Sequence, residues 1–213
     1  MAIPINIEDL LNKRKIESNR IEFKKGWNPD KIYRTICAFA NDFDNIGGGY
    51  IVVGVEEEER TGIAKRPVAG ISIEELYKIQ REMIGYNNNI EPLYLPRIDV
   101  QEVDEKYVLL IWVPAGVNRP YNVRERVTAG NQSPCRWYVR SGTNTIEAKG
   151  EILDELREMA NRTPFDERGN ENIELTDISR ALVLDYLQTV NSRLVSDFEQ
   201  LSLSELLSRW TSL

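Results

Sequence analysis

The clearest hydrophobic pattern in the chain is a pair of segments that predict two strands. In the first, Ile21 and Phe23 alternate with Glu22 and Lys24, the period of two that marks a half-buried strand. Glu22 and Lys24 therefore project from the same face. The second segment, residues 50–55, is apolar at both parities, as expected for a strand that is covered on both sides. We expect the rest of the chain to be organised around this second strand and the glycines before it.

The remaining periodicities predict a hairpin and helices that flank a sheet. A helix opens at Asn28 with a proline in its first turn, and its apolar positions share one face. Residues 97–103 and 106–113 are strand patterns joined by Asp104-Glu105, which predicts a β-hairpin. Together these elements predict an α+β fold: a mixed, mainly antiparallel sheet of about five to six strands with flanking helices.

The C-terminal part of the chain has a different pattern. Residues 166–172 are polar and rich in turn formers, and helical periodicity resumes after them. We therefore expect a domain at residues 1–163 and a helical C-terminal extension at residues 164–213, which reads as the start of a second module. On this interpretation the chain is a fragment of a longer protein or a minimal form of one.

The absence of histidine excludes several kinds of catalysis. With no His among 213 residues, neither a Ser-His-Asp arrangement nor a His-bearing zinc site can form. Cys37 and Cys135 are too few for a disulfide framework. No apolar run is long enough to span a bilayer, so we expect a cytoplasmic protein without a membrane partner. Any hydrolytic chemistry would use carboxylates, lysine, tyrosine or a bound metal.

Basic residues cluster in two segments although the net charge is −7. Residues 13–25 carry six basic side chains against two acidic ones, and residues 119–140 carry five arginines against one glutamate. In the strand that ends the second segment, Arg136, Tyr138 and Arg140 share one face. Arginine with aromatic rings suits single-stranded nucleic acid, because guanidinium groups bind phosphate and rings stack on bases. The alternative is that the aromatic rings fill the core while the arginines face water.

Four consecutive glutamates, residues 56–59, follow the doubly covered strand. One interpretation is a solvated strand end whose charges protect the sheet edge. The other is that Glu56 or Glu57 returns beside Glu22 on the neighbouring strand. Successive side chains face opposite ways, so at most one of the two can join Glu22. The sequence leaves both interpretations open.

Three blocks of residues, in order along the chain, carry a resemblance to a known family. The matching positions are Glu17, Glu22-Phe23-Lys24, Ala38-Phe39-Ala40-Asn41, Gly48-Gly49-Tyr50, Gly54-Val55-Glu56 and Tyr138 through Thr145. In these blocks the chain resembles the Schlafen AlbA-like domain family, over roughly residues 7–160. Bacterial proteins of this family are generally described as DNA-binding or transcriptional-regulator domains. The resemblance therefore implies a nucleic-acid partner.

The first functional hypothesis is a nucleic-acid-binding module of a bacterial transcriptional regulator. It would need no cofactor and would act through phosphate contacts and stacking, with little base specificity. The residues that we assign to this surface are Lys24, Lys25, Arg124, Arg126, Arg136, Tyr138 and Arg140. A homodimer is a further partner that we consider.

The second hypothesis, implied by the resemblance, is a metal-dependent nuclease. Some Schlafen proteins cleave RNA at a three-carboxylate site, and the matching positions here are Glu17, Glu22 and Glu56. Such carboxylates would hold Mg²⁺ or Mn²⁺, and Lys24 would stabilise the transition state. Glu56 departs from the aspartate of the nuclease members. A structural role for these glutamates, paired with nearby Lys or Arg, is the alternative, and a non-enzymatic assembly domain is the third hypothesis.

Overall fold

The computed structural model describes residues 3, 5–12, 20–58, 60–159, 179–190 and 192–210. The contacts between residues divide the chain into two units, Met1–Arg162 and Thr163–Leu213. The predicted boundary at residues 163–164 lies outside the described residues. Within the described ranges, no helix is long and apolar enough to cross a membrane.

The described part of the first unit holds eight strands in two sheets. The strands are β1 (Ile21–Lys24), β2 (Gly49–Val53), β3 (Ile90–Glu91), β4 (Arg97–Val103), β5 (Lys106–Val113), β6 (Asn122–Arg124), β7 (Cys135–Ser141) and β8 (Asn144–Glu147). Sheet I has the order β1-β2-β5-β4, and sheet II has the order β3-β6-β7-β8. β1 and β2 are parallel and the other neighbouring pairs are antiparallel. The α+β prediction is confirmed, with eight strands instead of five or six.

Helices cover the sheets and form the second unit. Those of the first unit are α1 (Ile7–Asn12), α2 (Pro29–Asn41), α3 (Ile73–Tyr86) and α4 (Glu151–Met159), and those of the second are α5 (Arg180–Thr189) and α6 (Leu203–Trp210). Side chains cap the N-termini of α2 and α3. The Asn28 side chain accepts a hydrogen bond from the backbone N–H of Lys31, and the Ser72 side chain accepts one from the backbone N–H of Glu75. The predicted helix start at Asn28 is therefore confirmed.

Helix α2 lies between the two sheets and organises the main core. From Ile32 to its end, every residue of α2 except Arg34 is buried. On one side it packs against Ile51 and Val53 of sheet I, and on the other against Val123 and further residues of sheet II. A helix that is enclosed by two sheets needs apolar side chains almost all round, and the sequence of α2 meets this requirement.

The outer faces of both sheets are also covered. Tyr50 and Val52 point away from α2 and pack in a second cluster with α1. This double coverage explains why β2 is apolar at both parities. On the far side of sheet II, Val139 packs against Leu156 of α4. In the second unit, a separate cluster forms around Leu187 and its neighbours.

The β4–β5 hairpin has the bounds that the sequence predicts. Asp104 and Glu105, at the turn, have φ angles of 51° and 61°. Positive φ at both central residues is the geometry of the turn that matches the twist of two-residue hairpins. β5 pairs with β2 from Leu109 to Val113, and so it carries the apolar centre of sheet I.

Candidate functional site

Glu22, a residue of the predicted carboxylate site, lies inside the protein. It faces α2 from β1 and only 7% of its surface is exposed. Its Oε2 accepts a hydrogen bond of 2.7 Å from Nη1 of Arg140, which is 5% exposed. Its Oε1 accepts from the ammonium group of Lys24. A buried ion pair therefore links β1 of sheet I to β7 of sheet II.

Arg140 is held by several further contacts. Its Nη1 also donates to the hydroxyl of Thr145 at 3.0 Å, and its Nη2 donates to the carbonyl of Thr143 at 2.7 Å. The guanidinium carbon lies 5.0 Å from the centre of the Phe39 ring. The third block of the family resemblance thus forms a socket for this arginine. The resulting contacts fix the guanidinium against Glu22 and α2.

Asn41 makes a second connection between α2 and sheet II. It is fully buried, and its amide nitrogen donates to the carbonyls of Tyr121 at 2.9 Å and Tyr138 at 2.8 Å. Its amide oxygen accepts from the backbone N–H of Tyr121 at 2.7 Å. One side chain thus satisfies three backbone groups that the packing of α2 removes from water. We call Glu22, Arg140 and Asn41 the buried polar network.

The carboxylate of Asp42 holds the glycine turn before β2 in place. The Asp42 carboxylate accepts backbone hydrogen bonds of 3.0–3.1 Å from Ile46, Gly47 and Gly48. A Cβ on Gly49 would lie 2.4 Å from the Phe39 ring. Close packing explains Gly48 and Gly49, and a φ of 94° explains Gly47, in agreement with the absence of a P-loop sequence.

The predicted Arg-Tyr-Arg binding face is not a surface in the structure. Tyr138 is 6% exposed and packs in the main core, and burial raises the pKa of its hydroxyl. Arg140 is buried in the network. The side chain of Arg136 is 41% exposed and pairs with Glu147 at 3.2 Å. This correction has a simple cause: α2 packs on this face of β7, so only the end of the strand at Arg136 reaches solvent.

The other predicted arginines lie around the loop between β6 and β7. Arg124 is partly buried, and its Nη1 donates to the carbonyl of Ser133 at 3.0 Å. Arg126 is exposed, and its backbone N–H donates to the Ser133 hydroxyl at 2.8 Å. Of these two, Arg126 is the side chain that solvent reaches more fully. Both assignments to a nucleic-acid surface stay predictions.

After β2, Glu56, Glu57 and Glu58 enter a small hairpin that is closed by an isolated β-bridge. Glu57 bridges to Ala64, and the returning segment brings Lys65 beside Glu56. The Glu56 carboxylate binds Lys65 at 3.0 Å and Lys25 at 3.1 Å. Hydrogen bonds from Lys65, and next from Lys25, hold the pKa of the Glu56 carboxyl below its usual range. Glu56 is therefore ionised at neutral pH and faces two cations.

These residues surround an open cleft of about 250 Å³ beyond the carboxyl ends of β1 and β2. Its lining consists of Phe23, Lys24, Lys25, Val55, Glu56 and Glu57. We call this site, together with Lys65, the lysine cleft. The sequence analysis found Lys24, Lys25 and Glu56 but missed Lys65, because Lys65 joins only through the hairpin return. Thr61-Gly62, a turn signal after the acidic run, is the clue that it left unused.

The three predicted metal ligands do not form a group in the part of the chain that the structure describes. Glu22 and Glu56 are bound by different cations, and Glu17 lies outside the described residues. Among the described residues, no three Asp, Glu or Cys side chains are placed to hold a metal ion. The described carboxylates therefore do not fit a shared Mg²⁺ or Mn²⁺.

Comparisons with known proteins place this arrangement in a family. None of the curated proteins matches the chain. Among solved structures, the DIP2311 protein from Corynebacterium diphtheriae is 20% identical with a TM-score of 0.44, covering 89% of this chain and 36% of its own. The N-terminal domain of a RecG-related protein from Nitrosomonas europaea is 26% identical with a TM-score of 0.41, covering 54% of this chain and 74% of its own.

The chain thus spans about a third of the length of the first of these structures. A family model described as Schlafen, AlbA_2 matches residues 17–149. This match includes β1, the glycine turn, the lysine cleft and the socket of Arg140. The three blocks that carry the resemblance in sequence therefore lie inside the matched region, and the chain belongs to the Schlafen AlbA_2 family.

Proposed function

We propose that the chain is a nucleic-acid-binding module and that the lysine cleft is where it contacts phosphate. The observation that carries this proposal is the convergence of two ammonium groups, from Lys25 and Lys65, on the single carboxylate of Glu56. A phosphate oxygen accepts the same charge-assisted hydrogen bonds from the same donors. Glu56 occupies the position that a backbone phosphate of the ligand would take.

The exposure of the lysines supports this role. The side chain of Lys25 is 69% exposed and that of Lys65 is 46% exposed, so a polymer can reach both. Lys24 also lines the cleft, but Glu22 balances its charge, so Lys25 and Lys65 are the cations that a phosphate would meet. Displacement of the Glu56 carboxylate would free both of them, and such a local distribution of charge matters more for phosphate binding than the net charge of −7.

The same structure predicts little base specificity. Tyr138, the ring that was expected to stack on bases, is buried under α2. Lysine binds phosphate as a point charge, and phosphate contacts carry no direct sequence information. We therefore infer binding that is dominated by the backbone and depends steeply on salt. Within a bacterial transcriptional regulator, such a module would supply affinity and not sequence choice.

Binding of labelled single-stranded and duplex oligonucleotides, without metal and across a salt series, tests this proposal. Lys25→Gln should weaken binding and reduce the slope of log affinity against log salt by roughly 0.7 to 0.9, the loss of one phosphate contact. Glu56→Gln should strengthen binding, because it removes the anion that competes for the two lysines. These two changes act in opposite directions at one site.

Lys149→Gln is the matched control, since the Lys149 side chain is 68% exposed and also pairs with a glutamate. It should leave affinity and salt slope nearly unchanged. Equal losses for Lys25→Gln and Lys149→Gln would assign binding to the general field of the protein and refute the assignment to the cleft. No binding by the native chain would leave the assembly-domain hypothesis.

The nuclease hypothesis ranks second. In its favour, Oε2 of Glu57 is buried at the same cleft and has no hydrogen-bond partner among the described residues. Against it, the described carboxylates do not form a shared ligand set. The binding experiment is therefore repeated with Mg²⁺ or Mn²⁺ and read on a cleavage gel. Cutting that Glu57→Gln and Glu56→Gln both abolish would promote the enzyme above the binding module.

A further inference from the structure

The first unit exposes an apolar patch that neither the buried polar network nor the lysine cleft explains. On α3, Ile73, Tyr77 and Ile84 are 50%, 69% and 73% exposed. Tyr107 of β5, which lies beside Ile73 and Tyr77, is 37% exposed, and Ile98 of β4 is 38% exposed. A contiguous group of large apolar side chains on a protein surface marks an interaction site more often than chance exposure does.

The patch has the shape of a groove between α3 and the edge of sheet I. A cavity of about 270 Å³ is lined by Ile73, Leu76, Tyr77, Gln80, Val100 and Tyr107. Because β4 is bonded only to β5 in sheet I, it forms the outer wall of this groove. Residues 73, 77, 80 and 84 recur at helical spacing, so they form one stripe along α3 that borders the groove.

The edge strand itself is partly closed to strand addition. The backbone N–H of Val100 donates to the carboxylate of Asp99 at 3.1 Å, and the Gln101 amide donates to the other oxygen of Asp99. A partner strand would have to displace this carboxylate from the middle of β4. Charged and self-bonded edges are a recognised protection against strand pairing. The helix stripe, and not the strand backbone, is therefore the contact surface.

The charges beside the stripe favour a second copy of the same chain. Glu74 lies in the first turn of α3 and Arg81 two turns later, both next to the apolar stripe. When two α3 helices meet across a two-fold axis in antiparallel orientation, Glu74 of each copy lies opposite Arg81 of the other. A two-fold contact is self-complementary in this way.

We propose that the chain forms a homodimer through the groove between α3 and β4, with the two α3 helices antiparallel. Tyr77 is the central anchor, since buried tyrosines dominate the energy of many interfaces. The stripe pairs Ile73 of one copy with Ile84 of the other. The contact lies on a different set of residues from the lysine cleft, so it does not depend on the proposed function.

Sedimentation equilibrium of the full chain over a range of concentrations tests this proposal. The native chain should show a reversible dimer with twice the mass of the 24.6 kDa protomer. Tyr77→Glu should raise the dissociation constant at least about tenfold, because it places a charge in the centre of the contact. Tyr77 is mostly exposed, so this variant should fold, which circular dichroism verifies.

A charge swap makes the test specific for the antiparallel arrangement. Glu74→Arg and Arg81→Glu should each weaken the dimer, and the double variant should restore it, because the opposed charges are again opposite in sign. Glu75→Arg is the matched control: it makes the same charge change one residue away, on the side of α3 turned from the stripe. It should leave the dissociation constant unchanged.

Three results would overturn the proposal. A monomer at every concentration would leave the groove to a different protein. A dimer that Tyr77→Glu does not weaken would lie on another surface. Equal weakening of the dimer by Glu74→Arg and by the double variant would contradict the antiparallel pairing of Glu74 with Arg81, on which the assignment depends.

Discussion

The buried pair of Glu22 and Arg140 should dominate the stability of the first unit. Both side chains are less than a tenth exposed and their atoms lie 2.7 Å apart. Removing one partner of such a pair leaves an uncompensated buried charge, which typically costs about 3–5 kcal/mol. For a unit of this size, that loss corresponds to a fall of roughly 6 to 20 °C in the melting temperature.

The two single substitutions should differ in how much free energy of unfolding they cost. Glu22→Leu leaves Arg140 with hydrogen bonds to the neutral oxygens of Thr143 and Thr145 but with no carboxylate among its described partners. Arg140→Met leaves Glu22 with Lys24, so the buried charge keeps a counterion. We therefore expect Glu22→Leu to cost more free energy of unfolding than Arg140→Met. The double variant should cost less than Glu22→Leu alone, because no unpaired arginine remains.

Urea unfolding followed by circular dichroism measures these free energies, with Lys149→Met as the control. Lys149 belongs to an exposed pair, so its loss should change stability by no more than about 1 kcal/mol. Additive effects of Glu22→Leu and Arg140→Met would refute the reasoning. A cost for Glu22→Leu as small as that of Lys149→Met would refute it as well.

Three further predictions concern the interior. Asn41→Leu keeps the branched shape of the side chain but removes three hydrogen bonds to buried backbone groups, so urea unfolding should show a loss of at least about 2 kcal/mol. Gly49→Ala should lower the melting temperature, because a Cβ there meets a ring at 2.4 Å, whereas Gly26→Ala, with nothing within 4 Å, should not. Burial raises the pKa of the Cys37 thiol to about 12, so at pH 8 a thiol reagent should modify the half-exposed Cys135 first. Modification of Cys37 before unfolding would contradict its burial.

Local patterns predicted the parts of the fold that depend on neighbours in sequence. The β4–β5 hairpin follows from two apolar strands around a turn, and the start of α2 follows from the Asn28 cap. The sequence pattern did not predict a second sheet, because β3 and β6 are only two and three residues long. Strands this short show no periodicity, and they form only because longer strands and α2 hold them in place.

The candidate site, too, could be predicted from local patterns only in part. Alternation in β7 correctly places Arg136, Tyr138 and Arg140 on one face, but it does not say what covers that face. The pairing of Glu22 with Arg140 spans 118 positions along the chain, so no local signal shows it. A structural pairing of Glu22 with a nearby Lys or Arg was the alternative that the sequence left open. The geometry decides for that alternative, and it moves the candidate surface to the lysine cleft.

Amide hydrogen exchange with and without a single-stranded oligonucleotide tests the central claim most directly. We expect slower exchange in residues 24–26 and 55–65 when the oligonucleotide is bound, and unchanged exchange in residues 136–140. The exchange is measured by mass spectrometry at low salt, where phosphate contacts are strongest. Protection confined to residues 136–140, with none at the lysine cleft, would contradict both the proposed phosphate site and the structural role assigned to Arg140.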